Sequence, residues 1–296
     1  METHQKKRSR ILIFFLVVLL LFGIAGGVSF LLPEDTVSRQ KIGVVEVKGM
    51  ITDASDTIRQ LTKYRKDRSI KGVVLRIDSP GGAVAPSQEI YAEVLRFKQS
   101  KKKIFASMGS VAASGGYYIA SAADQIIANP GTLTGSIGVI MTFANVEQLM
   151  SKVGLRPETI KSGKFKDTGS PTRPMLPEER KLLQSVIDDV YGQFADAVAE
   201  GRKMDVEKVK ALADGRIYTG KQAFDLKLVD SLGGLEDTIR LLAEAVDIKG
   251  EPKIIQEKPA FSFLEWLLQS SLPERFMGSI APLNFPLMQY LWTGSN

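Results

Sequence analysis

The sequence predicts an α/β fold built on a largely parallel sheet, and three features of the 296-residue chain point to it. Short β-branched runs alternate with helical stretches over short connections, the pattern that sets neighbouring strands parallel with crossover helices between them. Glycine-rich turns fall at the carboxyl ends of two of those strands, where the ligand sites of parallel sheets gather. Apolar residues make up 44% and charged residues 24% of the chain, ordinary globular usage that excludes a fibrous or disordered protein.

The elements follow in order. Residues 41–47 (KIGVVEV) alternate as a strand, and 72–77 (GVVLRI) form a β-branched buried strand that breaks at Asp78-Ser79-Pro80-Gly81-Gly82. Pro86 fits a first helical position, and Ile90, Val94 and Phe97 recur on one face before the basic stop at Lys101, Lys102 and Lys103. Residues 104–107 are the next strand, Gly109-Ser110 a turn, 114–123 a helix of small residues, and 125–128 another strand. Farther on, Leu183, Val186, Ile187, Val190, Phe194 and Val198 mark a long amphipathic helix, and Leu235, Ile239, Leu242 and Val246 a second, both read as packing. Between them the stretch 134–174, rich in Gly, Ser, Thr and Lys, is long for a connection inside a domain, and such loops are often functional.

Residues 11–32 hold no charge over 22 positions, enough to span a bilayer, which takes about 20 residues of helix. A cleaved signal peptide competes, since Ala25, Gly26 and Gly27 are small, but its apolar core is only about 7–15 residues long. An uncleaved single-pass anchor is therefore expected. The basic tail 1–10 should stay cytoplasmic, which sends the folded domain, residues 33–250, to the outer face of the cytoplasmic membrane. An apolar extension, 251–296, carries Phe261, Trp266, Phe276, Tyr290 and Trp292, with Pro273, Pro282 and Pro286 breaking it. It suits packing on a neighbouring subunit or the membrane surface, or a place near a substrate groove. Net charge is +6, of which the tail supplies +3, so a nucleic-acid partner is not expected. Without cysteine there is no disulfide and no thiolate metal site.

The chemistry is constrained by an absence. Residues 108–118 (MGSVAASGGYY) read as a serine nucleophile on a glycine-rich turn, yet the one histidine, His4, lies in the cytoplasmic tail. Ser114 would open a helix beside free N–H groups, with the Gly115 amide as one oxyanion donor; the plainer reading is a small residue that lets a helix pack closely. The base for such a serine has to be lysine, and Lys161, Lys164 and Lys166 all lie in the long connection. An ordinary lysine is neutral only about once in 10³ at pH 7, so a working one needs a dry setting that brings its pKa to near 7.

Five strings occur in order: RIDSPGG (76–82), MGSVAASGGYYIA (108–120), TLTGSIGVI (132–140), KSGKFKDTGSP (161–171) and ADGRIYTGKQAFDLKLVDSLGG (213–234). Through them the chain resembles the short bacterial form of signal peptide peptidase A, a family of membrane-anchored serine–lysine peptidases, over about residues 40–250. The resemblance implies a crotonase- and Clp-protease-like fold of repeated β-β-α units behind a single transmembrane helix. It makes Ser114 the nucleophile and singles out Lys166, which follows Gly163-Lys164-Phe165, as the base, with Phe165 part of a dry wall. It places the second oxyanion donor at Gly81, with Gly82 open, and gives Ser136 the task of holding the lysine amine. No metal or cofactor is implied. Apolar peptides such as signal-peptide remnants are the implied substrates, and a ring of identical subunits, commonly eight, with serine and lysine from adjacent copies, is the implied assembly. A catalytically silent peptide-binding scaffold and a crotonase-type acyl hydrolase are the alternatives.

Overall fold

The computed structural model describes residues 40–257 and 289–291. The expected anchor at 11–32 and most of the apolar extension lie outside the described residues, among which no helix is long and apolar enough to cross a membrane.

The chain forms a mixed α/β fold around a mainly parallel sheet. Strand β1 (Lys41–Lys48) pairs in parallel with β2 (Ile70–Ser79), and β2 with the long β4 (Lys103–Ala113). The first part of β4 pairs with β5 (Gln125–Ala128) and its end with β6 (Leu133–Gly135), both in parallel, so the sheet forks along this strand. Strands β7 (Ile217–Thr219), β8 (Ser231–Leu232) and β9 (Lys253–Gln256) complete it, and only β7 runs antiparallel to its neighbour. Successive side chains of a strand face opposite sides, and the two faces bury separate sets. Val45, Val47, Leu75 and Ile77 face α1 (Ser55–Lys66), α2 (Val84–Gln99) and α3 (Gly115–Ser121), whereas Ile42, Val44, Val74 and Phe105 meet Leu242 of α8 (Leu235–Ala245).

Two sequence expectations shift. The Gly109-Ser110 turn is instead interior to β4: the Asp78 carboxylate accepts from the Val111 N–H at 3.1 Å, and a side chain at 109 would sit 2.7 Å from that carboxyl group. The pairing resumes beyond it as Ser79 opposite Ala112. Helix α2 starts at Val84, two residues ahead of the expected Pro86, because a proline inside the first turn gives up only an N–H that has no helical acceptor.

The long connection contains α4 (Glu147–Lys152), but nothing between residues 138 and 178 is buried. It forms an arm that ends on α5 (Pro177–Arg202), whose expected apolar stripe is only half used. Val190, Phe194 and Val198 are buried, while Leu183 and Ile187 stay half-exposed and Val186 exposed, beside the arm. Two short helices, α6 (Val206–Leu212) and α7 (Gly220–Asp225), lead into β7 and β8.

Phe97, wholly buried where α2 meets the core, gives the direct check on this packing. Phe97→Ala should cost about 3–5 kcal/mol, read as a lower urea midpoint with an unchanged slope.

Candidate active site

The end of β4 passes straight into α3, and Ser114 is the residue at the joint. Its backbone takes φ 53° and ψ −116°, a conformation that costs a non-glycine residue about 1–3 kcal/mol and persists only where the surroundings impose it. Those surroundings are two hydrogen bonds of 2.8 Å: the Ser114 N–H donates to the Gly135 carbonyl of β6, and the Tyr118 N–H donates to the Ser114 carbonyl. The side chain is 1% exposed, and its Oγ has no hydrogen-bond partner among the described residues. A buried, unpaired hydroxyl on a sharp strand-to-helix turn has the form of a nucleophile elbow.

Glycines let the backbone close around it. A Cβ on Gly115 would lie 2.7 Å from Ser87 Oγ and 3.3 Å from the Gly82 nitrogen. Strand β3 (Gly81–Ala83) thus runs past the start of α3 at contact distance. The Gly81 N–H donates to Ser79 Oγ at 3.1 Å, and that hydroxyl donates onward to the Gly49 carbonyl at 2.6 Å. The Ala83 N–H donates to the Ile51 carbonyl on one side of β3, so by strand alternation the Gly82 N–H points to the opposite side, away from Ile51. Gly81, at φ 101°, holds a conformation that glycine adopts readily.

Ser136 also sits at a positive φ, 49°, nearly buried, with its N–H on the Arg216 carbonyl at 2.8 Å. It follows the residue that holds the Ser114 amide, and it lines a cleft with Ile140, Ile187, Asp188, Tyr191 and Leu291. Lys166 is elsewhere. It lies exposed on the arm, in a turn closed by its own N–H on the Gly163 carbonyl at 3.1 Å, and makes no hydrogen bond to Ser114. Lys161 pairs with Asp167 and Lys164 with Glu178, whereas Lys166 enters no ion pair among the described residues. Phe165, expected in a dry wall, is 43% exposed because the arm stands off the body. One chain therefore brings together Ser114, Gly115, Gly81, Gly82 and Ser136 and leaves Lys166 apart.

Part of the apolar extension, residues 289–291, fills the space beside the serine. Strand β10 (Gln289–Leu291) lies antiparallel on β3, Tyr290 opposite Gly82, and its Gln289 exchanges two 3.1 Å hydrogen bonds with Ile140. An extended segment is thus seated between β3 and Ile140, beside the start of α3. Its carbonyl at Tyr290 would be 2.0 Å from a Cβ on Gly81, a spot also 2.8 Å from the Gly115 nitrogen. The Tyr290 ring, wholly buried, packs on Tyr118 (5.2 Å between centroids) and Phe194 (4.8 Å), with Tyr91 against Tyr118. Its hydroxyl reaches the Val190 carbonyl at 3.4 Å. Burial holds the Tyr91 hydroxyl up to about 12 and raises those of Tyr118 and Tyr290, so the pocket stays uncharged at neutral pH. The Tyr118 position, four residues after Ser114 on the same helix face, was the available signal for the pocket.

A strained serine ending a parallel-sheet strand, with backbone amides gathered beside it and a groove that accepts an extended chain, defines a hydrolase of the serine class acting on peptides. The comparisons agree: the chain matches Peptidase family S49 over residues 96–249 and Clp protease over residues 37–132. It is 50% identical over 208 residues to a putative protease of Synechocystis, covering 69% of this chain and 74% of the relative. It is 40% identical over 219 residues to a putative signal peptide peptidase SppA of Enterococcus faecium, covering 70% of this chain and 64% of that one. Against the chloroplastic serine protease SPPA of Arabidopsis thaliana it is 36% identical over 236 residues, 78% of this chain but only 35% of the plant protein. The chain belongs to peptidase family S49, a family of serine peptidases.

The crowding at Gly81 is testable apart from activity. Gly81→Ala combines a positive φ with a methyl group against the Tyr290 carbonyl, and should displace β10. The Gln289 amide, which donates to the Ile140 carbonyl at 3.1 Å, should then exchange with solvent about tenfold faster or more, read by hydrogen exchange.

Proposed function

We propose that this chain is a serine endopeptidase whose nucleophile is Ser114 and whose base is Lys166 of an adjacent copy in a homo-oligomer. The observation that carries the reading is the state of Ser114: buried, held in a strained turn, and without a partner for its hydroxyl, while Lys166 projects unpaired from an arm with no buried residue. A base must lie within about 2.6–3.2 Å of the proton it takes. A second copy that lays its arm over the cleft beside Ser136 supplies that group and covers Phe165, Leu183 and Ile187 at once. The ring of subunits implied by the sequence resemblance is the natural arrangement for such a handover.

In this mechanism neutral Lys166 takes the Ser114 proton as Oγ attacks the peptide carbonyl. The Gly115 and Gly82 amides hold the oxyanion, each donor of this kind being worth about 2.7–4 kcal/mol. The resulting ammonium gives its proton to the leaving amine, and the lysine then activates water to release the acyl group. Ser136 holds the amine between these steps. No residue of this scheme needs a metal or cofactor.

The substrate would lie where β10 lies, as a strand between β3 and Ile140 with an apolar side chain in the Tyr91–Tyr118–Phe194 pocket. Apolar peptides such as signal-peptide remnants suit that pocket, and an anchor at residues 11–32 would hold the domain at the outer face of the cytoplasmic membrane beside them.

Two outcomes follow. Ser114→Ala and Lys166→Ala should each lose peptide cleavage by more than about 10³-fold, yet mixed oligomers of the two should regain it; activity retained in Ser114→Ala would refute the nucleophile. A chain ending at residue 288 should cleave short peptides with a higher kcat/KM than the full chain, because the groove is vacated; an unchanged value would mean that β10 does not lie on the substrate's path.

A further inference from the structure

One charge cluster on the arm has no part in this chemistry, and it sits against the proposed base. Arg173 uses all five of its N–H groups. Nε donates to Asp167 Oδ2 at 2.9 Å, Nη2 to the Asp167 carbonyl at 3.1 Å and to Glu179 Oε1 at 2.5 Å, and Nη1 to Glu179 Oε2 at 2.9 Å and the Pro174 carbonyl at 3.0 Å. Glu179 belongs to the first turn of α5, its side chain is 1% exposed, and it also accepts the Leu176 N–H at 2.8 Å. Asp167 accepts Lys161 Nζ at 2.5 Å on its other oxygen, and Lys161 reaches the Lys164 carbonyl at 3.1 Å.

The consequence is mechanical. An arm without buried residues has no core to fix its shape; the Phe143 ring lies against Gly169, and polar contacts carry the rest. Residue 167 directly follows Lys166, and it is gripped by both its carboxylate and its backbone carbonyl. The other end of the grip is a buried carboxylate on a 26-residue helix. A planar guanidinium is suited to the task, because its donors form a rigid fork that binds carboxylates in pairs. The Arg173 guanidinium holds Glu179 down to about 2 and keeps Asp167 well below the usual carboxylate range, so both stay charged at every pH where a peptidase of this kind works.

We propose that Arg173 is a positioning residue for catalysis: by clamping Asp167 to Glu179 it fixes the root of the Lys166 side chain, so that the arm delivers the amine in register to the serine of the neighbouring copy. The inference rests on the shared Ser114–Lys166 site proposed above. A catalytic group displaced by about 1 Å can cost on the order of 10²-fold in rate. Arg173→Met should therefore lower kcat by about 10- to 100-fold with KM and oligomer size unchanged, and Arg173→Lys, which keeps the charge but not the fork, should recover only part of the loss.

Mixed oligomers separate positioning from a general effect on folding. Placed in the Ser114→Ala chain, which supplies Lys166, Arg173→Met should lower the restored activity by the same factor of about 10 to 100. Placed in the Lys166→Ala chain, which supplies Ser114, it should be tolerated. Equal loss in both placements, or loss in neither, would overturn the role given to Arg173. If the parent pair does not complement, the shared site is what fails. The homogeneous Arg173→Met enzyme then decides the clamp alone: a drop confined to kcat upholds it, and an unchanged kcat overturns it.

Discussion

The hydrogen bond from the Ser114 N–H to the Gly135 carbonyl is the contact on which the rest of the site depends. It joins the residue just after β4 to the end of β6, where the forked sheet gives the serine a partner strand past the point at which β4 has left β5. That bond and the one from Tyr118 hold φ at 53°, which turns the side chain off the sheet and starts α3 at once. The turn brings Gly115 against β3 and leaves Ser136 one residue beyond the acceptor.

The groove follows from the same geometry. Strand β3 carries two glycines because the β10 backbone and the start of α3 crowd Gly81, and the Ile51 backbone crowds Gly82, within the space of a methyl group. A peptide that pairs with β3 is thereby brought past Gly115 and Ser114, and β10 shows that an extended segment with a large aromatic side chain fits. The pocket under it is assembled from α2, α3 and α5, through Tyr91, Tyr118 and Phe194, so the helices that form the main core also shape the place for a substrate side chain.

Much of this was legible in the sequence, for local reasons. The β-branched runs at 41–47 and 72–77 and the helical spacing of Ile90, Val94 and Phe97 mark elements whose own periodicity declares them. Ser114 stood out because two alanines and two glycines flank it, a composition that suits backbone crowding. What escaped involved partners far along the chain. Gly109-Ser110 looks like a turn until the Asp78 carboxylate, 33 residues away, caps the Val111 amide. Tyr290 pairs with Gly82 across more than 200 residues, a contact that no periodicity encodes. The arm was readable as a long polar loop, but among the described residues nothing covers Lys166 and Phe165, which stay exposed.

The central claim is that Ser114 meets the Lys166 of another copy and not its own. A chain without cysteine allows a direct measurement: Ser114→Cys and Lys166→Cys chains, assembled together and treated with a short thiol–thiol crosslinker, can be followed by denaturing electrophoresis. The crosslinker is needed because a lysine reaches farther than a cysteine, so the Cβ atoms of a working pair stand too far apart for a direct disulfide. The account predicts a covalent dimer from the co-assembled single variants, and the same interchain crosslink in the double variant. A double variant that crosslinks only within one chain, at monomer mobility, would contradict it.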